Sequence, residues 1–380
     1  MDFAWSETQT ALYDRTLAFA QTLGGDIRTR DREHAFSRAE WQRCGEFGLL
    51  GLSVPEAFGG MGLGALSTAR AVEAFGRGCR DTGLVFAAAA HLFACVMPIF
   101  DHGDDALRRR LLPALCSGER IGANAITEAE AGSDVHALKT TARRDGDGYV
   151  LDGTKSYVTN AEVADVFVVY ATTNPAHGYL GLSAFVVERG APGLVIGKPF
   201  DKIGLTTTSI SSIYLDGCRV RDADRLGAEG QGAIVFRSSM EWERACLFAA
   251  YVGVMERQLE QVVEHARTRR QFGKPIGHNQ AVSHKIADMK LRLESARLLL
   301  YRACWARDQG QDATAAISMA KLAVSEAAVQ NGLDAIQLHG GSGVLREYDV
   351  ERMLRDAVPS TIFSGTSELQ RTLIAKSLGL

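Results

Sequence analysis

The feature that most restricts the fold of this chain is a set of long segments with helical spacing in its second half. They cover residues 231–268, 279–308 and 312–338, and a shorter segment follows Ser367. Helices of this length are unusual in ordinary globular domains but common in up-down bundles. We therefore predict a C-terminal helical bundle over residues 223–380, whose long faces suit sharing between subunits.

In the rest of the chain, the spacing of apolar residues changes once, from helical to β-rich. Helical spacing dominates the first 120 residues, which predicts a helical domain over residues 1–121. Short β-rich runs then occur at 149–151, 166–170, 183–187 and 212–215, separated by Gly, Asp, Asn and Pro. They predict a small sandwich or barrel over residues 122–222. The fold class is therefore mostly α with a central β domain.

One apolar stretch, residues 83–98, requires a choice between a membrane span and a core helix. It is rich in alanine, has His91 in its middle and ends at Pro98. A bilayer span needs about 20 strongly apolar residues. We therefore expect a buried core helix and no membrane partner.

Composition excludes several classes of function. The 42 Lys and Arg residues are balanced by 45 Asp and Glu, a net charge of −3, so no overall positive field exists to attract nucleic acid. The seven cysteines include no Cys-x-x-Cys pair, which argues against a disulfide framework or a metal site. Without a secretory signal pattern at the start, the chain is predicted to be cytoplasmic with reduced thiols.

Nucleotide-binding fingerprints of the common kinds do not occur. Neither G-x-G-x-x-G nor G-x-x-x-x-G-K-[ST] is present. Five polar or glycine-rich segments stand out instead, at 126–134, 155–160, 267–275, 337–343 and 363–367. Taken singly, each has an ordinary interpretation as a turn, a packed strand or solvated charge, and each could also approach a ligand closely.

Taken together, in this order and spacing, the segments resemble the acyl-CoA dehydrogenase family of flavoproteins over essentially the whole chain. The resemblance includes Arg269-x-x-Phe272-Gly273-Lys274 and the Gly365-Thr366-Ser367-Glu368 segment near the end. It implies an N-terminal helical domain, a middle β domain and a C-terminal four-helix bundle. It also implies FAD bound between these domains, in a homotetramer or homodimer.

Matching motif to motif, the resemblance implies a set of FAD contacts. The flavin end would be held by Thr127, Ser133, Tyr157, Thr159 and Thr366, with Tyr157 in place of the family's more usual tryptophan. The pyrophosphate and adenosine would be held, partly across a subunit interface, by Arg269, Phe272, Gln280, Gln337, Gly340 and Gly341. An arginine fork and exposed backbone N–H groups are what a pyrophosphate needs.

The catalytic base is where the chain departs from the common pattern. Many family members carry a glutamate immediately before Gly-Thr-Ser, but here that position is Ser364. A minority carry it on a bundle helix just before an arginine, which matches Glu243 before Arg244. Arg244 and Ser364 are then expected on the substrate side of the site, and apolar neighbours should raise the pKa of Glu243.

Two other carboxylates and one other role remain open. Glu241 lies about 200° around an α-helix from Glu243, so we expect it to be solvated or in an interface rather than at the flavin. An internal ion pair with Arg244 or another basic residue is the alternative role for Glu243. Glu368 is the reserve candidate for the base.

A closer resemblance concerns the branch of the family. Segments such as 81–91 and 240–250 look like those of dehydrogenases that act on prolyl groups bound to carrier proteins. It implies a substrate on the phosphopantetheine arm of a peptidyl carrier protein, oxidised to a pyrrole-2-carboxyl or pyrroline-carboxyl thioester. The alternatives are an acyl-CoA or other acyl-carrier dehydrogenase that supplies polyketide units, and a scaffold protein without flavin.

Overall fold

The first part of the chain folds into helices, as its spacing predicts. The computed structural model describes residues 4–380, the side chain of His136 excepted. The helices of this part are α1 (Glu7–Ala20), α2 (Ile27–Glu33), α3 (Arg38–Phe47), α4 (Ala65–Gly78), α5 (Thr82–His91), α6 (Met97–His102) and α7 (Asp105–Cys116). Side chains cap several N-termini, for example Ser6 for α1 and Asp81 for α5.

The apolar stretch forms a nearly continuous helix, because a π-helical turn over Leu92–Val96 joins α5 to α6. Residues Thr82–His102 are long and apolar enough to cross a membrane, yet 89% of the most apolar window lies inside the fold. His91 is fully buried and accepts a hydrogen bond at Nδ1 from the amide of Gly122, at 2.8 Å. The expected core helix is confirmed.

The central part is one mixed sheet. Its strands are β1 (Gly122–Ala125), β2 (Thr141–Asp145), β3 (Gly148–Thr159), β4 (Val166–Thr172), β5 (Leu182–Glu188), β6 (Leu194–Pro199), β7 (Ile210–Arg221) and β8 (Arg225–Leu226). The order is β6-β7-β3-β2-β4-β5-β8, and β1 pairs with β4 in parallel. The four predicted runs lie in β3, β4, β5 and β7, so β1, β2, β6 and β8 were missed.

The last part is the helical bundle. Its helices are α8 (Gly232–Trp242), α9 (Ala249–Thr268), α10 (Gln280–Asp308), α11 (Thr314–His339), α12 (Val350–Ala357) and α13 (Ser367–Ser377). A π-helical turn over Glu243–Leu247 joins α8 to α9. A short hairpin of β9 (Arg270–Gln271) and β10 (Lys274–Pro275) connects α9 to α10. The predicted fold class, mostly α with a central β domain, is confirmed.

All seven cysteines are buried free thiols, and none of them forms a disulfide in this structure. Burial raises the pKa of the Cys95 and Cys116 thiols to about 12, which keeps them protonated and unreactive. The cysteines therefore act as small apolar core residues.

Helices α4 and α9 pack closely through two glycines, which fixes the N-terminal helices against the bundle. A Cβ added at Gly76 would lie 2.1 Å from the carbonyl oxygen of Ala250, and one added at Gly253 would lie 2.0 Å from that of Glu73. Real Cβ atoms do not approach backbone this closely. The crossing therefore depends on glycine at both positions.

We expect Gly76→Ala to destabilise the protein by about 1–3 kcal/mol, because the methyl group forces the two backbones apart. Chemical unfolding measures the difference in the free energy of unfolding. Gly25→Ala is the matched control, since a Cβ there would meet nothing within 4 Å. Equal stability of the two variants would contradict the close crossing.

Candidate functional site

A cavity of about 1240 Å³ lies where the three parts of the chain meet. Helix α5 and the turn after it contribute Phe86, Ala90 and Ala94. The sheet and its loops contribute Asn124, Thr127, Ser133, Tyr157, Thr159 and Asn160. The bundle contributes Glu243, Arg244, Phe363, Ser364, Gly365 and Thr366. Its lining is mainly apolar with a few converging polar groups, which is typical of a cofactor or ligand site.

The carboxylate in the bundle wall is Glu243, the first residue of the π-helical turn that follows α8. Its side chain is 8% exposed. Burial raises the pKa of Glu243, while the hydrogen bond from Ser364 and then the charges of Arg244 and Lys321 act in the opposite direction. The raised pKa agrees in direction with the sequence prediction.

The groups around Glu243 belong to the neighbouring residue and to the turn before α13. The hydroxyl of Ser364 donates to Oε1 of Glu243. The guanidinium Nε of Arg244 donates to the carbonyl oxygen of Ser364 at 2.7 Å. Among residues 4–380, no described Lys, Arg or His side chain forms a salt bridge with Glu243, whose hydrogen-bond donor is Ser364, so the alternative of a direct internal ion pair is not what the structure contains.

The two other candidate carboxylates are placed differently from Glu243. Glu241 contributes to the lining of the same cavity, but its side chain is 33% exposed and pairs with the exposed Arg237, in keeping with the expected solvated carboxylate. The cavity extends around the end of α8 far enough to reach both residues, and Glu241 accepts from Nε of Arg237 at 3.1 Å at the more exposed end. Glu368 is exposed at the start of α13, outside the lining.

Tyr157 lines the cavity, although its strand is irregular at this point. The pairing of β3 with β7 shifts register between Lys155 and Val158, and Tyr157 has φ 57°. Its side chain is 63% exposed and its ring lies 5.6 Å from that of Phe200. Thr159, two residues later, lines the same cavity. The irregular strand leaves one face of the ring free for a flat ligand.

A buried ion pair fixes the loop that carries Thr127 and Ser133. Lys155 Nζ donates to Glu128 Oε1 at 2.8 Å and to the carbonyl oxygen of Ile126 at 3.1 Å. Burial lowers the pKa of Lys155 to about 8, against the effect of Glu128. Glu128 also accepts from the backbone amides of Lys139 and Thr140. The ion pair links the loop to β3 and so holds the loop at the cavity wall.

Two polar atoms at the cavity lack partners. The side-chain oxygens of Asn124 and Asn160 are buried and make no hydrogen bond with residues 4–380, and both residues line the cavity. A buried amide oxygen without a partner is costly. Both oxygens are enclosed by the fold, so neither is open to a ligand in this conformation.

The remaining predicted cofactor residues lie elsewhere, at the far end of the bundle. They are Arg269, Phe272, Gln280, Gln337, Gly340 and Gly341, all exposed and none of them in the cavity lining. The rings of His265 and His339 stack at 4.3 Å, which brings the C-terminal ends of α9 and α11 together. Phe272, 95% exposed at the tip of the β9–β10 hairpin, projects from this end. The predicted residues therefore form two separate clusters.

Sequence reasoning missed three polar residues of the site. Asn124 lies on β1, a four-residue strand of Gly and Ala around Asn that gives no strand pattern. Asn160 lies within the 155–160 segment, but no role was predicted for it. Lys321 is fully buried on α11, its Nζ makes no hydrogen bond with residues 4–380, and it lies 5.4 Å from the centre of the Phe248 ring. A lysine in an apolar helix face was the one available signal.

Three family models match successive parts of the chain. Acyl-CoA dehydrogenase, N-terminal domain, matches residues 6–119, acyl-CoA dehydrogenase, middle domain, matches residues 123–218, and acyl-CoA dehydrogenase, C-terminal domain, matches residues 230–379. In the described residues no group of three or more His, Cys, Asp and Glu side chains could hold a metal ion.

Individual relatives are similar over the full length. The L-prolyl-[peptidyl-carrier protein] dehydrogenase of Pseudomonas fluorescens is 55% identical over 383 residues, covering 100% of both chains. The enzyme of the same name from a Serratia species is 47% identical over 381 residues, covering 100% of this chain and 99% of the relative. The solved structure of PigA with FAD and proline superposes with a TM-score of 0.98 at 46% identity, covering 100% of both chains.

We expect Lys155→Met to lower the free energy of unfolding by about 3–5 kcal/mol, because it leaves the buried Glu128 carboxylate without its cation. Arg109→Ala is the matched control, since that arginine pairs with Asp105 at 2.8 Å on the exposed surface and should cost at most about 1 kcal/mol. Denaturant titration of both variants tests the difference. A Lys155 variant as stable as the control would show that the pair does not hold the loop.

Proposed function

Because the chain belongs to the acyl-CoA dehydrogenase family, we propose that it is an FAD-dependent dehydrogenase of a carrier-bound acyl thioester, L-prolyl-S-peptidyl carrier protein. The observation that carries this proposal is the buried Glu243 at the wall of a cavity built from all three parts of the chain. Support for the prolyl substrate comes from the two full-length relatives that bear this activity in their names.

The cavity fits the flavin end of FAD. Tyr157 offers an exposed aromatic ring, and Asn124, Asn160, Thr127 and Thr159 add polar side chains to the same lining. These residues, with Ser133 and Thr366, are the ones we assign to the flavin end. When bound, FAD supplies the acceptor for the hydride that leaves the substrate.

The chain's own part of the chemistry is to remove a proton. The thioester carbonyl acidifies the hydrogen on the adjacent carbon, and a carboxylate at the cavity wall can accept it. Glu243 is suited to this because burial raises its pKa towards neutral pH, where a base works best. Apolar walls formed by Phe86, Ala90 and Phe363 exclude water from the place where the proton moves.

Substrate entry takes place at the more polar end of the cavity. The lining contains the charged residues Arg237, Glu241, Asp312 and Lys376, and Arg237, which pairs with Glu241, is well exposed. A phosphopantetheine arm is long and flexible, so the acyl group reaches Glu243 while the carrier protein stays outside. Removal of two hydrogens gives a pyrroline-carboxyl thioester, and removal of four gives the pyrrole-2-carboxyl thioester.

The adenosine half of FAD needs a second binding cluster, which we assign to Arg269, Phe272, Gln280, Gln337, Gly340 and Gly341. In a single chain these residues are exposed. Large apolar side chains beside them are exposed as well: Leu291, Leu333, Val344, Leu345 and Tyr348. Exposed apolar patches of this kind mark protein interfaces. We propose that a second subunit covers them, within a homotetramer in the cytoplasm.

We expect Glu243→Gln to retain FAD and to oxidise prolyl-loaded carrier protein about 10²–10⁴ times more slowly than wild type, because the amide cannot accept the proton. Mass spectrometry of the carrier-bound thioester measures the loss of two or four hydrogens. Glu368→Gln, exposed and outside the cavity lining, is the matched control and should keep most of the activity. Unchanged turnover in Glu243→Gln would overturn the assignment of the base.

We expect Phe272→Asp to reduce both the molar mass of the assembly and the amount of FAD that co-purifies, because a charge replaces an apolar side chain at the proposed interface. Light scattering and the visible flavin spectrum measure the two effects. Val195→Asp is the control, since Val195 is 57% exposed on β6, a strand that contributes no residue to the cavity lining or to the second cluster. Loss of neither mass nor FAD would contradict the interface assignment.

A further inference from the structure

The residue that replaces the family's usual glutamate is held in an uncommon backbone conformation. Ser364 has φ 56°, in the left-handed region that side-chain-bearing residues seldom adopt. Its carbonyl oxygen accepts from Arg244 Nε at 2.7 Å and from Gln370 Nε2 at 3.4 Å. Phe363, just before it, packs its ring 4.7 Å from that of Phe86 and 5.5 Å from that of Phe248. Neighbours on three helices thus maintain this conformation.

The conformation brings the hydroxyl of Ser364 to the carboxylate of Glu243. Oγ of Ser364 donates to Oε1 of Glu243, across 121 residues of sequence. The other carboxylate oxygen, Oε2, accepts no hydrogen bond from residues 4–380, and it is not among the fully enclosed atoms without a partner. One oxygen is therefore fixed, while the second remains available at the cavity that Glu243 lines.

We propose that Ser364 is a positioning residue for the base: its hydroxyl holds one oxygen of Glu243 so that the other faces the substrate. The inference rests on the proposed function, in which Glu243 takes the proton. Ser364 itself cannot serve as a base, since an unactivated hydroxyl is a poor proton acceptor. Arg244 stabilises the turn that contains Ser364, because its Nε donates a hydrogen bond to the carbonyl oxygen of Ser364.

Ser364 also sets the charge of the base. A hydroxyl that donates to a carboxylate stabilises the ionised form, and here this opposes the effect of burial on the pKa of Glu243. The other charged groups that act on Glu243 are Arg244 on its own helix and Lys321 on α11. Tyr170 on β4 is also coupled to Glu243, but burial raises its pKa so far that it stays neutral. Of these groups, only Ser364 donates a hydrogen bond to the carboxylate.

The experiment uses the holoenzyme with bound FAD and a peptidyl carrier protein loaded with L-proline. The rate of flavin bleaching without oxygen is measured against pH for wild type, Ser364→Ala and Ser364→Gly. Both variants lose the hydroxyl, but glycine also relieves the backbone strain at φ 56°. Any effect of the hydroxyl is therefore shared by the two variants, whereas an effect of strain is not.

We expect both variants to shift the rising limb of the pH profile upward by about one pH unit, because a protonated Glu243 cannot accept a proton. Below the midpoint of the limb, the rate should be about ten times slower than that of wild type. The rate should recover in part at high pH. A readout independent of turnover is an infrared titration of the Glu243 carboxyl group, obtained by subtracting Glu243→Gln. It should show the same upward shift.

The outcomes separate this inference from the proposed function. An inactive Glu243→Gln together with unshifted profiles in both Ser364 variants would overturn the role of Ser364 and leave the base in place. An active Glu243→Gln would overturn the base itself. A shift in Ser364→Ala that is absent from Ser364→Gly would assign the effect to backbone strain and would also overturn the inference.

Discussion

The structure depends on a carboxylate kept away from water in the wall between the bundle and the N-terminal helices. Burying Glu243 is unfavourable unless the fold supplies donors and positive charge. Ser364 provides the donor, and Arg244 and Lys321 provide the charge, from three different segments of the chain. The carboxylate can therefore be buried only when α4 and α9 cross closely, the turn before α13 has formed and α11 is in place.

Much of this arrangement could be predicted from the sequence, because its signals are local or are carried by motifs. The bundle helices follow from long helical spacing, and the core helix at 82–102 follows from an apolar run around His91. The choice of Glu243 rested on a resemblance at one position. Spacing alone gave no reason to place Ser364 against it, since the contact joins residues that are 121 apart.

The failures have physical causes of the same kind. The left-handed backbone of Tyr157 could not be predicted, because the register shift of β3 against β7 depends on tertiary pairing. The strand β1 was missed because Gly and Ala pack against His91 and Cys95, where a Cβ on Gly122 would lie 2.5 Å from the sulfur of Cys95. In each case a neighbour distant in sequence decided the outcome.

The two π-helical turns have a consequence for how such a chain can change during evolution. Leu92–Val96 and Glu243–Leu247 lie side by side, with the rings of Phe93 and Trp242 stacked at 6.3 Å. A π turn holds one residue more than an α turn of the same rise. Deleting one residue from either would give an α turn of the same rise and leave the flanking helices in register. A one-residue deletion can therefore be absorbed at these two turns, whereas elsewhere in the helices it would rotate one part by about 100° against the other.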